Sequence, residues 1–327
     1  KEGFTVETRD IPAMRIGKEE VRKEIERRKP KVVGLSGFSL NIMRAMEIAR
    51  MAKEACNPII LIGGYHVSAV PEETLKACKD FDVAVVGEGE ITMKELMPAL
   101  MSGKSLDGIK GVAFRKGDGV VFNGRRELIK DLDTLPYPDR DLVPWEGYVR
   151  TLHRAMGGKD KVKFTSMVTS RGCPFGCVYC DKSVFGRTWR PRSAKNVVDE
   201  MEYIVKKYNV EEIIVFDDIL TLDRDRVIEI CKLIKERGLK VMWTADARVH
   251  TVDYEMLKEM KEAGCYSIFY GVESGNQEIL DKMHKGIKLE QVENAVKLAK
   301  QAGLTVTTSF MIGNPGETVQ TVRDTIN

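Results

Sequence analysis

Two hydrophobic periods alternate along this chain. Short runs rich in Val and Ile, typical of buried strands, are followed by longer segments in which apolar residues recur every three or four positions, as in amphipathic helices. Strands that alternate with helices predict parallel sheets, because each helix returns the chain to start another strand in the same direction. A proline-rich stretch over Leu135–Trp145 interrupts the pattern. The chain therefore predicts two α/β domains.

The first part of the pattern predicts a doubly wound, Rossmann-like parallel sheet over residues 1–130, ending in a β-hairpin. The central first strand of such a sheet is not recognisable, so we expect the native protein to carry residues that this chain lacks. The predicted strands are Thr5–Thr8, Lys31–Leu35, Pro58–Ile62, Val83–Val86, Gly111–Arg115 and Gly119–Phe122. The predicted helices are Lys18–Lys29, Asn41–Cys56, Pro71–Cys78 and Thr92–Met101.

Residues 131–160 are interpreted as a linker, because prolines disfavour both helix and central strand. The alternation resumes over residues 161–327 with a longer repeat and predicts a partial β/α barrel, cut short after its fifth strand. The predicted strands are Phe164–Thr169, Glu212–Phe216, Lys240–Thr244, Ser267–Val272 and Thr305–Ile312. The predicted helices are Asn196–Tyr208, Arg224–Arg237, Tyr254–Ala263 and Leu289–Ala302.

Composition narrows the possible partners. The sequence is 43% hydrophobic and 31% charged, and its net charge of +3 comes from 52 basic and 49 acidic residues that are interspersed. This balance predicts neither nucleic-acid nor membrane-surface binding, and no apolar run is long enough to span a bilayer. Four scattered cysteines are interpreted as buried free thiols, which suit a reducing compartment, and we expect the cytoplasm. These are Cys56, Cys78, Cys231 and Cys265.

Three cysteines carry the strongest chemical signal. Cys173, Cys177 and Cys180 follow the spacing Cys-x3-Cys-x2-Cys. Thiolates are the usual ligands of iron–sulfur clusters, and three of them leave one iron open for a substrate or cofactor. Gly172 and Gly176 permit the tight turns that a loop around a cluster needs. A structural zinc knuckle is the alternative, but no second Cys/His pair at zinc-ribbon spacing follows.

The segment Thr169–Asp181 resembles the cluster-binding motif of the radical S-adenosylmethionine (SAM) superfamily, including the aromatic Tyr179 before the last cysteine. This resemblance implies a [4Fe–4S] cluster whose open iron chelates the amino and carboxylate groups of SAM. It also implies an external low-potential electron donor and a 5′-deoxyadenosyl radical that abstracts hydrogen from the substrate. Tyr179 is then expected near the adenine.

Residues at the carboxyl ends of barrel strands are functional candidates before any family is considered. Asp217 and Asp218 end the second strand, where the resemblance implies contacts with the amino group of SAM, although both could equally cap the next helix. Arg248 follows the third strand and could bind a carboxylate bidentately. An ion pair with a neighbouring aspartate is the alternative.

Two further segments resemble family motifs. Gly271–Gly275 matches the motif after the fourth strand, where Glu273 can accept hydrogen bonds from both ribose hydroxyls. Phe310–Glu317 resembles the fifth-strand motif that meets the adenine through backbone and apolar contacts. The resemblance thus assigns to SAM the positions Tyr179, Asp217, Asp218, Arg248, Glu273, Ser274, Met311 and Ile312.

Glycine-rich loops follow three strands of the first domain, where the ligands of such sheets bind. They resemble the cobalamin-binding domain fused ahead of many radical SAM enzymes, and glycines let backbone N–H groups approach a macrocycle or its phosphate tail. A turn histidine bonded to the backbone is the alternative for His66, which is not expected to be a lower axial ligand. The resemblance assigns to cobalamin the positions Ser36, Gly63, Gly64, His66, Gly87, Glu88 and Gly89.

The leading hypothesis is a cobalamin-dependent radical SAM C-methyltransferase acting on a small-molecule, lipid or peptide substrate. A second hypothesis is a radical SAM cyclase, C–C coupling or rearrangement enzyme with a non-methylating or vestigial cobalamin domain. A third is a non-catalytic iron–sulfur binding or electron-transfer module, which would have no use for the SAM-directed residues. A methylthiotransferase is rejected, because it would need three more ligand cysteines where this domain has only Cys56 and Cys78.

Overall fold

The computed structural model describes residues 3–145 and 162–327. The chain divides into two compact units, the first formed by Lys1–Ile129 with Asp181–Gly186 and the second by Lys130–Cys180 with Arg187–Asn327. Each unit contains one five-stranded sheet. No helix in the described ranges is long and apolar enough to cross a membrane.

The sheet of the first unit has the order β1-β2-β3-β4-β5. The first three strands run parallel, and β4 and β5 add an antiparallel hairpin at one edge. The strands are β1 Val32–Ser36, β2 Ile59–Gly63, β3 Val83–Val85, β4 Val112–Lys116 and β5 Gly119–Phe122. The helices are α1 Ile11–Met14, α2 Lys18–Arg28, α3 Ile42–Cys56, α4 Tyr65–Ala69, α5 Pro71–Ala77 and α6 Gly89–Met101.

Both faces of this sheet are covered. Side chains alternate along β2, so Ile60 and Ile62 join the core beneath α3 while Leu61 joins a second core with Leu96 of α6. Successive residues of a strand point to opposite faces, which is why a strand buried on both sides is a continuous apolar run. Because β1, β2 and β3 run parallel, their carboxyl ends lie at one edge of the sheet.

Two features near the first sheet differ from the predictions. Thr5–Thr8 is not a strand, and α1 follows this exposed segment instead. An alternating tetrapeptide becomes a strand only where a neighbour accepts its hydrogen bonds, and none of the described strands pairs with it. Helix α4 was not predicted, because one turn of helix carries too few positions to show a period.

The sheet of the second unit is entirely parallel, in the order β12-β11-β10-β9-β6, so neighbours in sequence are neighbours in space except for a separate two-stranded ribbon, β7-β8. This is the arrangement of a partial β/α barrel. The strands are β6 Phe164–Met167, β7 Ser170–Arg171, β8 Arg190–Pro191, β9 Glu212–Val215, β10 Met242–Ala247, β11 Cys265–Glu273 and β12 Thr305–Phe310. The helices are α7 Ala194–Tyr208, α8 Arg224–Glu236, α9 Tyr254–Glu262, α10 Gln277–Lys282, α11 Leu289–Gln301 and α12 Val319–Ile326.

One face of the second sheet forms the apolar core with the helices. Along β10, Trp243, Ala245 and Ala247 belong to this core. Thr244 and Asp246 alternate with them and lie on the opposite face. That face therefore carries polar side chains toward the carboxyl ends of the strands. The strand also extends beyond its predicted end at Thr244, because polar residues facing the interior do not produce the hydrophobic run used to predict it.

A buried ion-pair triad fixes the described part of the predicted linker to the second unit. Arg140 lies 2.8 Å from one carboxylate oxygen of Glu200, and Arg192 lies 2.5 Å from the other. Arg140 also donates to the carbonyl oxygen of Ser166 in β6, at 2.9 Å. Residues 131–145 thus pack within this unit, while the rest of the predicted linker to residue 160 lies outside the described residues.

Candidate functional site

The entry to the cysteine loop is held by Asp217, just beyond the end of β9. Its carboxylate accepts hydrogen bonds from the backbone N–H of Thr169 at 2.6 Å and from the hydroxyls of Thr169 and Ser170 at 2.5 and 2.6 Å. Burial raises the pKa of Asp217, and these hydrogen bonds oppose the rise. Arg226 donates to the carbonyl oxygen of Thr169 at 2.8 Å. Asp217 therefore anchors the first residues of the loop.

The next turn of the loop depends on Asp218 and two glycines. The exposed carboxylate of Asp218 accepts the backbone N–H of Gly172 at 3.0 Å, and Gly172 has a φ of +86°. A Cβ atom at Gly176 would lie 1.8 Å from a guanidinium nitrogen of Arg187. Only glycine fits both positions without strain or displacement of the arginine. Neither aspartate caps the next helix, whose N-cap is Asp223.

The three cysteines differ in exposure but share this short loop. Cys177 is buried, Cys173 is half-buried and Cys180 is exposed. Hydrogen bonding from Cys180, followed by the hydrogen bond and charge of Arg248, lowers the pKa of Cys177 to about 4. The Cys177 thiol is thereby poised as a thiolate, the form that binds iron.

The donor set fits a cluster better than a single ion. Over residues 3–145 and 162–327, no three His, Cys, Asp or Glu side chains converge on one metal-ion position. In a four-iron cluster each thiolate binds a different iron, so three sulfurs around an open loop are sufficient and need not meet at one point. The sealed tetrahedron of a structural zinc site is absent from the described residues.

Arg248 lies one residue beyond β10 and is 5% exposed. Its Nη1 lies 3.5 Å from the sulfur of Cys177, and its Nη2 donates to the carbonyl oxygen of Lys285. The guanidinium carbon stands 3.9 Å from the ring centroid of Phe175, which belongs to the cysteine loop. In the described part of the chain Arg248 forms no ion pair with Asp246, so that alternative is wrong. Its assignment to the SAM carboxylate stays a prediction.

Lys285 is a site residue that the sequence did not indicate. Its buried ammonium lies 3.0 Å from Oε1 of Glu273 and 2.9 Å from the hydroxyl of Tyr179. Ser309 of β12 donates to Oε2 of Glu273 at 3.2 Å. Both carboxylate oxygens of Glu273 are therefore held in place. Burial, and then the charge of Glu273, raises the pKa of Tyr179, so its hydroxyl stays protonated.

The end of β11 brings the backbone into close contact with this carboxylate. Glu273 has a φ of +77°, unusual for a residue with a side chain. A Cβ at Gly271 would lie 2.5 Å from Oε1 of Glu273, so glycine leaves room for the carboxylate in its present position. The buried hydroxyl of Ser274 accepts the backbone N–H of Asn276 at 3.1 Å and lies 3.2 Å from Oγ1 of Thr325. Ser274 thus stabilises the loop, and its role toward SAM stays a prediction.

The residues after β12 are placed beside this site through their backbone. The N–H of Met311 donates to the carbonyl oxygen of Glu273 at 2.8 Å. Ile312 is 64% exposed, so its side chain is free to contact a ligand. Glu317 accepts the N–H of Gly313 at 2.5 Å and closes the following turn. These hydrogen bonds hold the turn near the end of β11.

Asp246 is a second site residue that was not singled out. It is half-buried on the polar face of β10, and its side chain forms no hydrogen bond within the described residues. Burial, and then repulsion from Asp217 and Asp218, raises the pKa of Asp246 to about 7. The carboxyl end of the sheet thus carries three neighbouring acidic groups, Asp217, Asp218 and Asp246, in addition to Arg248 and the Lys285–Glu273 pair.

The predicted cobalamin residues of the first unit gather at one edge of its sheet. Ser36 is the register partner of Gly63, and Gly37 donates its N–H to the carbonyl oxygen of Gly63 at 2.7 Å. Gly64 has a φ of +106°, and a Cβ there would lie 2.7 Å from the carbonyl oxygen of Gly37. Nδ1 of His66 lies 3.0 Å from Oγ of Ser39. The His66 side chain therefore binds a hydroxyl rather than the backbone.

The third loop lies beside a cavity of about 320 Å³ in the same unit, lined among others by Gly87, Glu88 and Arg125. Gly87 has a φ of +78°, and a Cβ there would meet nothing within 4 Å, so its backbone faces open space. Oε2 of Glu88 accepts the N–H of Ile129 at 2.8 Å. Gly89 begins α6. The open backbone at this edge fits the approach of a large flat ligand.

Comparison with known families identifies both units. The model of the radical SAM superfamily matches residues 167–327, and the model of the B12 binding domain matches residues 1–97. The chain belongs to the radical SAM superfamily. The predicted family, the α/β fold class and the cofactor set of [4Fe–4S] cluster, SAM and cobalamin are thereby confirmed.

Two relatives are similar to this protein over nearly its whole chain. The chain is 38% identical over 309 residues to an uncharacterized methyltransferase, PH0819, of Pyrococcus horikoshii, covering 94% of this chain and 65% of that protein. It is 31% identical over 318 residues to the anaerobic magnesium-protoporphyrin IX monomethyl ester cyclase of Rubrivivax gelatinosus, covering 95% of this chain and 56% of the cyclase. The chain thus spans less than two thirds of the length of these relatives.

A solved structure has the same fold. The radical SAM methyltransferase TsrM of Kitasatospora setae superposes with a TM-score of 0.82 over 99% of this chain and 65% of TsrM, at 22% identity. At that identity the likeness establishes the arrangement of strands and helices, and the roles of individual residues require separate support.

Proposed function

We propose that this protein is a cobalamin-dependent radical SAM C-methyltransferase. The observation that carries the proposal is the position of Cys177, Arg248 and the Lys285–Glu273 pair at the carboxyl end of one parallel sheet. When bound, the cluster and SAM supply a 5′-deoxyadenosyl radical that removes a hydrogen atom from the substrate. A non-catalytic cluster protein would need only the cysteines.

The chain's own residues bind and orient in this proposal. Asp217 and Asp218 hold the cysteine loop through Thr169 and Gly172, which fixes the sulfurs. Glu273 is oriented to accept hydrogen bonds from ribose hydroxyls, while Tyr179, Met311 and Ile312 border the adenine. These are the tasks of a site that positions SAM against a cluster, because radical formation depends on holding the reacting bond at a fixed distance.

The first unit supplies the second cofactor site. We assign cobalamin to the loops of Ser36, Gly63–His66 and Gly87–Gly89, where backbone at Gly87 faces open space. Bound there, cobalamin would supply the transfer of a methyl group from a second SAM to the substrate carbon. TsrM, whose structure holds cobalamin and a [4Fe–4S] cluster, has the same fold and is itself named a methyltransferase.

The partners and location follow from this chemistry. We propose an external low-potential electron donor and a small-molecule, lipid or peptide substrate. None of the seven cysteines, all of which lie in the described residues, forms a disulfide. Of the four outside the loop, Cys78, Cys231 and Cys265 are buried as predicted, whereas Cys56 is half-buried. Free thiols and an oxygen-sensitive cluster suit the cytoplasm, which is the compartment we propose.

Ring formation is the second candidate function. It is favoured by the 31% identity to an enzyme named a magnesium-protoporphyrin IX monomethyl ester cyclase, close to the identity at which the methyltransferase relative matches. A cyclase would use the same radical but would transfer no methyl group from SAM to the product.

The test uses anaerobically purified protein with its cluster reconstituted. With dithionite and SAM carrying a deuterated methyl group, we expect 5′-deoxyadenosine by mass spectrometry and the label on bound cobalamin. Cys177→Ala should abolish 5′-deoxyadenosine, whereas the buried Cys231→Ala should retain it, because Cys231 lies in the core away from the loop. Formation of 5′-deoxyadenosine with no label on cobalamin would favour the cyclase. If SAM is not cleaved at all, both candidate functions are contradicted.

A further inference from the structure

Arg248 contacts two residues of the cysteine loop, Phe175 and Cys177, and the backbone of Lys285. We propose that Arg248 is a positioning residue of the cluster, which donates a hydrogen bond to the Cys177 sulfur and so makes the cluster easier to reduce. This inference rests on the proposed function, and it differs from the role in binding the SAM carboxylate that the sequence predicts.

Three contacts place the guanidinium. Nη1 lies 3.5 Å from the sulfur of Cys177, within reach of a hydrogen bond to sulfur. Nη2 donates to the carbonyl oxygen of Lys285, which holds the group from the opposite end. The ring of Phe175, between the first two cysteines, stacks on the guanidinium with 3.9 Å between carbon and centroid. Such a group cannot turn away from the sulfur without losing all three contacts.

The same contacts disfavour a carboxylate ligand. Bidentate binding of a carboxylate uses two neighbouring N–H groups of the guanidinium in parallel. Both terminal nitrogens already have protein partners, and only Nε is buried without one. Each terminal nitrogen keeps a second N–H group, so a carboxylate would have to share the guanidinium with the sulfur and with the carbonyl of Lys285. The ammonium of Lys285 has three N–H groups and two acceptors among the described residues, so one N–H is left to bind the SAM carboxylate in place of Arg248.

The physical consequence concerns reduction. One electron from an external low-potential donor adds one negative charge to the cluster, with no bond made or broken in the protein. Hydrogen bonds to the sulfurs and nearby positive charge raise the reduction potential of an iron–sulfur cluster. Arg248 is 5% exposed, so its charge is poorly screened by water. Its removal should therefore make the cluster harder to reduce.

The test measures the cluster midpoint potential without SAM or substrate, by redox titration followed by electron paramagnetic resonance. Arg248→Gln removes the charge, Arg248→Lys keeps it without the planar fork, and Phe175→Leu removes the stacking ring. Arg237→Gln is the control, because it removes one charge paired with Asp199 and Glu202 on α7. SAM affinity is measured on each protein by calorimetry, and iron and sulfide content confirms the cluster.

We expect the equilibrium constant for one-electron reduction of the cluster to fall at least tenfold in Arg248→Gln. This equals a midpoint potential lower by about 59 mV. Arg248→Lys and Phe175→Leu should fall between it and wild type, Arg237→Gln should match wild type, and SAM affinity should change less than threefold. If Arg248→Gln loses its cluster, the other two variants decide. Unchanged potentials together with a tenfold loss of SAM affinity would overturn the inference in favour of a carboxylate ligand. Wild-type protein that accepts no cluster would instead refute the proposed function.

Discussion

At the scale of single residues, Lys285 connects two of the predicted SAM-binding residues, Glu273 and Tyr179. Its ammonium bridges Glu273 and Tyr179 while buried, so the ion pair has little water to screen it. Replacing one partner of a buried ion pair leaves the other charge uncompensated, which costs about 3–5 kcal/mol. The carboxylate of Glu273 would also lose the contact that fixes its direction.

Lys285→Met is therefore expected to lower the free energy of unfolding by about 3 kcal/mol and to weaken SAM binding by at least tenfold. Lys282→Met is the matched control, because the ion pair of Lys282 with Glu278 lies on the exposed face of α10 and such pairs contribute about 0.5 kcal/mol. Denaturant unfolding and calorimetry with SAM on anaerobic holoprotein measure both effects. Equal behaviour of the two variants would show that the bridge is incidental.

Asp246 makes stability depend on pH. Its pKa is raised to about 7 in the folded protein, chiefly by burial, from an ordinary 3.8. Between these values the unfolded chain releases a proton that the folded protein retains, so this residue lowers stability as pH rises from 4 to 7 and adds no further loss above 7. Replacing Asp246 by a neutral residue should therefore restore the stability that is lost as the pH rises.

We expect Asp246→Asn to be more stable than wild type at pH 8, by up to about 4 kcal/mol, and to match it near pH 4. Asp225→Asn, at a side chain 97% exposed, is the control and should show no such trend. Unfolding free energies at pH 5, 6, 7 and 8 test the sign. An advantage that is the same at every pH would indicate a packing effect rather than titration.

At the scale of elements, the loop after β2 depends on a close approach of two backbones. Gly64 combines a φ of +106° with a Cβ position 2.7 Å from the carbonyl oxygen of Gly37. With a ψ of −175°, Gly64 lies in a backbone region that essentially only glycine adopts, so Gly64→Ala should cost about 1–3 kcal/mol for its conformation and more for the collision. Gly108 also has a positive φ, +84°, but open space around a Cβ, so Gly108→Ala shows the cost of a positive φ without a collision. Thermal unfolding should rank Gly64→Ala well below Gly108→Ala, and only Gly64→Ala should lose cobalamin absorbance.

The elements that the sequence predicted well are those with long apolar runs. The strands β2 and β9 and the helices α3 and α7 lie within a few residues of their predicted bounds. Short elements such as α4 and the β7-β8 ribbon were missed, because a period cannot be read from so few residues.

The same reasoning explains which site residues were found. The cysteines were recognisable because their ligand spacing is local in sequence. Lys285 meets Tyr179 across 106 residues and Glu273 across 12, contacts that only the folded sheet creates. Asp246 was missed because the predicted third strand ended at Thr244, which placed this carboxylate in a loop rather than on the polar face of β10.

At the scale of the whole molecule, two units are assigned separate cofactors, and the proposed reaction needs both. A radical at the substrate requires the cluster and SAM in the second unit, whereas delivery of a methyl group requires cobalamin in the first. A substitution at one cofactor site should therefore abolish one half of the reaction and leave the other half unchanged. Gly87→Val fills open space and strains a φ of +78° beside the cobalamin loops. Cys180→Ala removes a cluster ligand.

We expect Gly87→Val to form 5′-deoxyadenosine from SAM at a rate near that of wild type while losing bound cobalamin and its methylation. Cys180→Ala should show the opposite pattern, with cobalamin retained and 5′-deoxyadenosine lost. Mass spectrometry of nucleosides and absorption spectra of the anaerobic proteins separate the two. The result tests the division of cofactors directly, because a first unit that had lost cobalamin would make Gly87→Val indistinguishable from wild type in both measurements.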